Sequence, residues 1–151
     1  MRPARPPIGL QLSRAARVVS RAFDDALVEE GGSLPVWLVL VNLKANPGGS
    51  QRRVAEAMGV TEATLTHHLN AMDAEGLVTR RRDPTNRRVH LLELTDKGDA
   101  MFNRLRKAAA SFDSRLRRNI SAEEIEHVRS LLDRLAANVR TDQGDISTWG
   151  P

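Results

Sequence analysis

The chain has no cysteine and no tyrosine in 151 residues, and aromatic residues make up only 3% of it. Without cysteine, disulfides, thiol catalysis and thiol redox sensing are excluded for this chain. With so few rings, the core must be built from Leu, Val, Ala and Met. No segment approaches 18 uninterrupted apolar residues, so no membrane span is expected. The first seven residues, MRPARPP, carry charge but lead into no signal-type apolar core. A cytoplasmic protein is the expectation. Also missing are a phosphate-cradling Walker loop and a Gly-rich dinucleotide turn. Acidic residues are plentiful but form no persuasive pair, and the histidines have no convincing metal spacing. These absences argue against an enzyme, a metal and a cofactor.

Hydrophobic residues make up 40% of the chain, enough for a folded core at 16.7 kDa. Lys and Arg number 23 against 19 acidic residues, for a formal charge of +4 and a pI near 10.5. The excess is modest overall and strongly local. Five arginines fall in the nine residues Arg80–Arg88. So many like charges repel one another and suit an anionic partner.

The stretch from Ser50 to Leu94 organises the rest. Val54, Ala55 and Met58 have helical spacing behind a Ser50 cap, and Gly59 stops that helix. Val60 is an apolar plug in the turn. Thr61 caps a second helix with the stripe Leu65, Leu69 and Met72, ended by Gly76. Two short helices across a Gly turn read as helix-turn-helix. Leu77–Thr79 and Val89–Leu94 then read as strands around a basic tip with the turn formers Asp83-Pro84 and Thr85-Asn86. A hairpin of this kind needs a helical face to pack on. A helix fits the major groove of B-form DNA, and an arginine-tipped hairpin beside it reaches phosphates or the minor groove.

With the stripe facing inward, Thr61, Glu62, Thr64, Thr66 and His67 are the candidates for a DNA face. Glu62 is either an acceptor for a cytosine amino group or a first-turn acid at a favourable helix end. Arg52 or Arg53 can add a phosphate contact at the first helix N-terminus, though an ordinary surface arginine explains either one alone. Arg80 and Arg82 share one face of their strand, and at least one is expected to meet phosphate. Arg88 is a phosphate contact or a brace for the hairpin. His68 flanks the buried stripe, as a core-edge histidine or as the lining of a cavity. His67 and His68 point about 100° apart on a helix and make a poor chelating pair.

Around this unit the chain reads as helical. Met1–Pro7 is a tail or a basic arm, and 1–9 is expected to be flexible. Leu10 to about Glu29 is an amphipathic helix with Leu12 and Val19 in its stripe, ended by Gly31-Gly32. Ser33 and Pro35 open PVWLVLVNL, a buried helix or a buried strand by pattern; the proline favours a helix. Trp37 is core, or the rim of a small-molecule pocket. Thr95 caps a helix to about Arg118. Ser121 and Glu124 form a capping box before a last helix containing Leu131, Leu132 and Leu135. The monomer has too little left to cover that stripe, so the first and last helices suit a dimer interface. A two-fold dimer would read two half-sites of a pseudo-palindromic operator. Residues 141–151 read as a tail in which Ile146 and Trp149 can dock.

GLVTRRRDPTNRRVHLLELTDKG resembles the wing and following helix start of MarR-type winged-helix transcription regulators. LTHHLNAMDAEGL resembles the second half of their recognition helix. The likeness extends more loosely from about Leu10 to Val139. It implies a mainly α fold with a small β-hairpin wing: one domain over 10–140, a winged helix-turn-helix core over 35–94, and dimerisation helices at about 10–30 and 96–140. It implies a homodimeric DNA-binding regulator, more commonly a repressor, whose DNA affinity responds to a small aromatic or lipophilic acid in a cavity framed by Trp37, His68 and the first helix. It also implies that Arg87 enters the minor groove. Two positions depart from the pattern. His67 stands where relatives commonly have Arg, and Asn86 where they have an Asp that orients the wing arginine. The alternatives are a winged-helix protein-interaction module or a weakly specific DNA binder without an effector.

Overall fold

The structure is a computed structural model that describes residues 5–140. The proposed tail residues 1–4 and 141–151, with Ile146 and Trp149, lie outside the described residues. Six helices and one hairpin follow in the order α1 (Ile8–Glu29), α2 (Leu34–Ala45), α3 (Gln51–Met58), α4 (Glu62–Ala74), β1 (Val78–Arg82), β2 (His90–Leu94), α5 (Asp96–Leu116) and α6 (Ala122–Val139). The fold class is the expected one, mainly helical with a hairpin wing.

Local chemistry sets the boundaries. Ser33, Ser50, Thr61, Thr95 and Ser121 each accept a hydrogen bond from a backbone N–H of the helix they open. At Ser121 the capping box is complete: Glu124 reaches back to the Ser121 N–H at 2.8 Å. That hydrogen bond holds the Glu124 carboxyl below the ordinary carboxylate range. PVWLVLVNL is helix α2, and Asp24 of α1 accepts the Leu34 N–H at its start.

Leu27, Val39, Leu40, Leu43, Leu65, Leu69 and Met72 are buried together with Leu77, Val78 and Leu92 of the hairpin. Met101 and Leu105 of α5 close the same core, and Phe23 of α1 packs on Phe112 with ring centroids 5.0 Å apart. Val60 packs against the core from the turn. Among the described residues no single helix is long and apolar enough to cross a membrane.

The hairpin is antiparallel, with Val78 opposite Leu94 and Arg82 opposite His90. β1 is longer than its apolar run suggests, because Arg80, Arg81 and Arg82 pair with Leu92, Leu91 and His90. Three of the five clustered arginines therefore lie in a strand, and the tip holds only Arg87 and Arg88. Ser50 bridges Leu91, and the Leu92 N–H donates to the Gly49 carbonyl, so the loop before α3 runs along the outer edge of β2.

α6 stands apart, with no buried residue. Leu131 and Leu132 are about 40% exposed, as is Leu12 of α1. Val19 and Leu135 are half-buried. Ile8, Leu10, Leu116, Ile120 and Val128 are exposed as well. The described chain leaves this apolar set uncovered.

Candidate nucleic-acid interface

α4 presents one exposed side and hides the other. Leu65, Leu69 and Met72 are buried, while Thr61, Glu62, Ala63, Thr64, His67 and Asn70 are exposed. Thr61 Oγ1 accepts from the Thr64 N–H at 3.1 Å and lies 3.0 Å from Thr64 Oγ1. Both hydroxyls therefore sit at the helix start, where partial positive charge favours an anion.

Thr66 is less free than its spacing suggests. It is half-buried, donates to the Glu62 carbonyl at 2.8 Å and accepts from Gln51 Nε2 at 2.6 Å. The Gln51 contact ties α3 to α4. Arg52 is exposed and paired with Glu56 one turn on, at 3.0 Å. Among the described residues, Arg53, Arg82, Arg87 and Arg88 have side chains in no ion pair.

The wing arginines divide by strand alternation. Arg80 turns towards α4, where Nη2 donates to Asn70 Oδ1 at 2.8 Å and Asp73 Oδ2 at 3.3 Å. Arg81 turns the other way and pairs with Glu93 at 2.8 Å. Arg82 shares the Arg80 face and is exposed.

Two side chains of the tip are used to shape it. Asp83 Oδ1 accepts from both the N–H and the hydroxyl of Thr85, at 2.8 and 2.7 Å. The hydroxyl, then the N–H, hold the Asp83 carboxyl below the ordinary carboxylate range. Asn86 Oδ1 accepts from the Arg88 backbone N–H at 3.2 Å. The amide thus fixes backbone, where an ion pair to an arginine side chain would need an Asp.

Sequence reasoning missed Gln51, Asn70 and Asp73. The only available signal was spacing: Asn70 and Asp73 are three apart and share a helix face.

Trp37 and His68 sit on different helices. The Trp37 ring stacks on Phe102 of α5 at 5.7 Å, and the half-buried His68 ring meets His67 edge-on at 5.7 Å. A cavity of about 540 Å³ lies elsewhere, between the end of α2 and the outer face of the wing, with Lys44, Arg81, Glu93 and Asp99 on its wall. These four are already matched in pairs, Lys44 with Asp99 and Arg81 with Glu93.

Helix, turn, helix and basic hairpin, ordered and oriented in this way, also occur in known proteins. Residues 33–90 match the model of the MarR family. The structure of the transcriptional repressor CouR bound to a 23-mer DNA duplex is 31% identical. The match covers 86% of this chain and 92% of that one, with a TM-score of 0.79. The chain belongs to the MarR family. It is therefore a winged helix-turn-helix DNA-binding regulator and not an enzyme. CouR from Rhodococcus jostii RHA1 bound to p-coumaroyl-CoA is 26% identical over 94% of this chain and 100% of that one, with a TM-score of 0.74. The PcaV regulator from Streptomyces coelicolor, in complex with its natural ligand, is 27% identical over 91% of this chain and 100% of that one, with a TM-score of 0.76.

Proposed function

We propose that this MarR-family regulator is a homodimeric repressor that reads a pseudo-palindromic operator with two copies of α4 and its wing. The uncovered apolar set on α1, α5 and α6 carries the dimer half of this reading. An 18-residue helix with no buried side chain has nothing among the described residues to bury its apolar stripe. Most of a protein helix's stability comes from packing its amphipathic face. In this division 35–94 reads DNA, while 10–30 and 96–140 join the subunits.

In the DNA half, Thr61, Glu62, Thr64 and His67 face the major groove. Thr66 contributes mainly through its tie to Gln51. Arg82, Arg87 and Arg88 carry the unpaired charge of the wing, with Arg87 entering the minor groove. Arg52 reaches phosphate after releasing Glu56. Repression follows from occupying promoter DNA, as suggested by the repressor CouR, solved on a duplex.

An effector belongs to the same reading. CouR binds p-coumaroyl-CoA and PcaV binds its natural ligand. For this chain we propose a small aromatic or lipophilic acid, or its thioester, held near Trp37 and His68. It would act by differential affinity for two spacings of the recognition helices.

The deciding experiment is selection of duplexes from a random library at moderate salt. An enriched inverted repeat is the expected result. A folded chain that enriches nothing would shift the reading to a protein partner. On the selected duplex, Arg87→Ala should lower the slope of log affinity against log salt by about 0.9, one phosphate's worth. An unchanged slope and affinity would remove Arg87 from the contact. Calorimetry with aromatic acids and their thioesters, read together with DNA affinity, tests the effector.

A further inference from the structure

We infer that Arg80 serves recognition as a strut between the wing and α4, and not as a DNA contact. This rests on the reading of α4 and the wing as the DNA-binding surface.

Arg80 lies at the third position of β1, just beyond the Gly76 turn that joins α4 to the hairpin. On the same face, its inward neighbour Val78 and its cross-strand partner Leu92 are buried. Those contacts fix the base of the wing. Arg80 is the next support outward. Its Nη2 atom has two protons, and both have acceptors, Asn70 Oδ1 and Asp73 Oδ2. The Arg80 side chain is 25% exposed, against 53% for Arg81 on the opposite face.

Charge accounting points the same way. If Arg80 swung out to a phosphate, Asp73 would be left as an unmatched carboxylate on the helix that faces the duplex. That repulsion offsets the new contact. Arg82, Arg87 and Arg88 can meet phosphate without breaking any ion pair among the described residues.

The position also gives leverage. Strand residues advance about 3.3 Å each, so the tip lies on the order of 10 Å beyond Arg80. A tilt of about ten degrees at the strut would move the tip by roughly 2 Å, more than a hydrogen bond tolerates.

The absence of cysteine makes a direct test possible. Spin labels at Ala63→Cys and Pro84→Cys, in full-length chain diluted with excess unlabelled chain, report the distance from α4 to the tip. Arg80→Ala should broaden that distribution, Asp73→Ala should do the same, and the double variant should add little. The reversed pair Arg80→Glu with Asp73→Arg should narrow it again.

On the selected duplex, Arg80→Ala should weaken binding about tenfold with the salt slope unchanged, which corresponds to a coupling typical of contacting side chains. A slope lower by about 0.9, with Asp73→Ala neutral, would make Arg80 a phosphate contact and overturn the strut. So would an unchanged distance distribution. Should the alanine variant unfold, Arg80→Lys keeps the charge but not the fork. A strut then still broadens the distribution, whereas a phosphate contact leaves it narrow. If the wild-type chain binds no duplex, the DNA reading fails and the distance measurement still decides the strut.

Discussion

Thr66 and His67 are adjacent on α4, about 100° apart around its axis. The turn of one residue decides what each can do. The Thr66 hydroxyl already donates to Glu62 and accepts from Gln51, so it has one lone pair left. His67 is exposed, and its ring meets only His68 among the aromatic contacts described. If His67 stands over DNA, replacing it by arginine adds a permanent charge there. His67→Arg should strengthen duplex binding several-fold and steepen the salt slope by about 0.9. Titration of DNA affinity across salt checks this. A variant with wild-type slope would place His67 away from the phosphates.

Asp83 has a different task. Its lowered pKa arises from Thr85, so the ionised form is the one the folded tip prefers. A depressed folded value means that support is present above the unfolded value, near pH 4, and is lost as pH falls through the folded one. Asp83→Asn should therefore speed amide exchange at Thr85 at neutral pH without moving the melting temperature, and acidification should lower the protection of the same amide, relative to its intrinsic exchange rate, in the wild type. Unchanged exchange in the variant would show that the turn holds without the carboxylate. The pattern 83–86 was legible as a turn because its hydrogen bonds span two residues. The tie from Thr66 to Gln51 was not, because it joins residues fifteen apart and depends on how two helices cross.

At the scale of elements, helix starts were readable because caps are local chemistry. Strand β1 was only half readable. Its apolar part is short, and its arginines count as strand only through partners on β2. The junction of α4, β1 and α5 is closely packed. Thr95 donates to the Gly76 carbonyl and accepts the Gly98 N–H, binding the end of one element to the start of the next. A Cβ at Gly98 would lie 2.0 Å from the Leu77 carbonyl oxygen, with no flexible side chain to give way. Either α5 or the wing base would have to shift. Gly98→Ala should cost about 1–3 kcal/mol and lower the melting temperature by several degrees at fixed protein concentration. It should also weaken DNA binding, since the base of the wing moves. A melting temperature within one degree of wild type would show that the junction relaxes freely.

At the scale of the whole molecule, α6 was legible as a helix and illegible as a contact, because nothing among the described residues buries its side chains. Its capping box holds the first turn, but no buried side chain holds the rest. The exposed Leu131, Leu132 and Val128 would cost solvation in a monomer, and so would Leu10 and Leu12 of α1. Under the proposed dimer, a second copy placed by a two-fold axis would cover both sets at once. That copy would bring a second recognition helix, to be set against half-sites about 34 Å, one helical turn of DNA, apart. Under the proposed dimer, Leu132→Asp puts a charge into the covered stripe. Sedimentation should then show monomer, and far-ultraviolet circular dichroism should lose helix, because α6 frays without its partner. Binding to an inverted repeat should fall more than a hundredfold towards that of a single half-site, since the second site is no longer tethered to the first. An unchanged dimer constant would take α6 out of the interface. A monomer that keeps full helix content would mean that α6 is stable unaided, which its lack of buried side chains argues against.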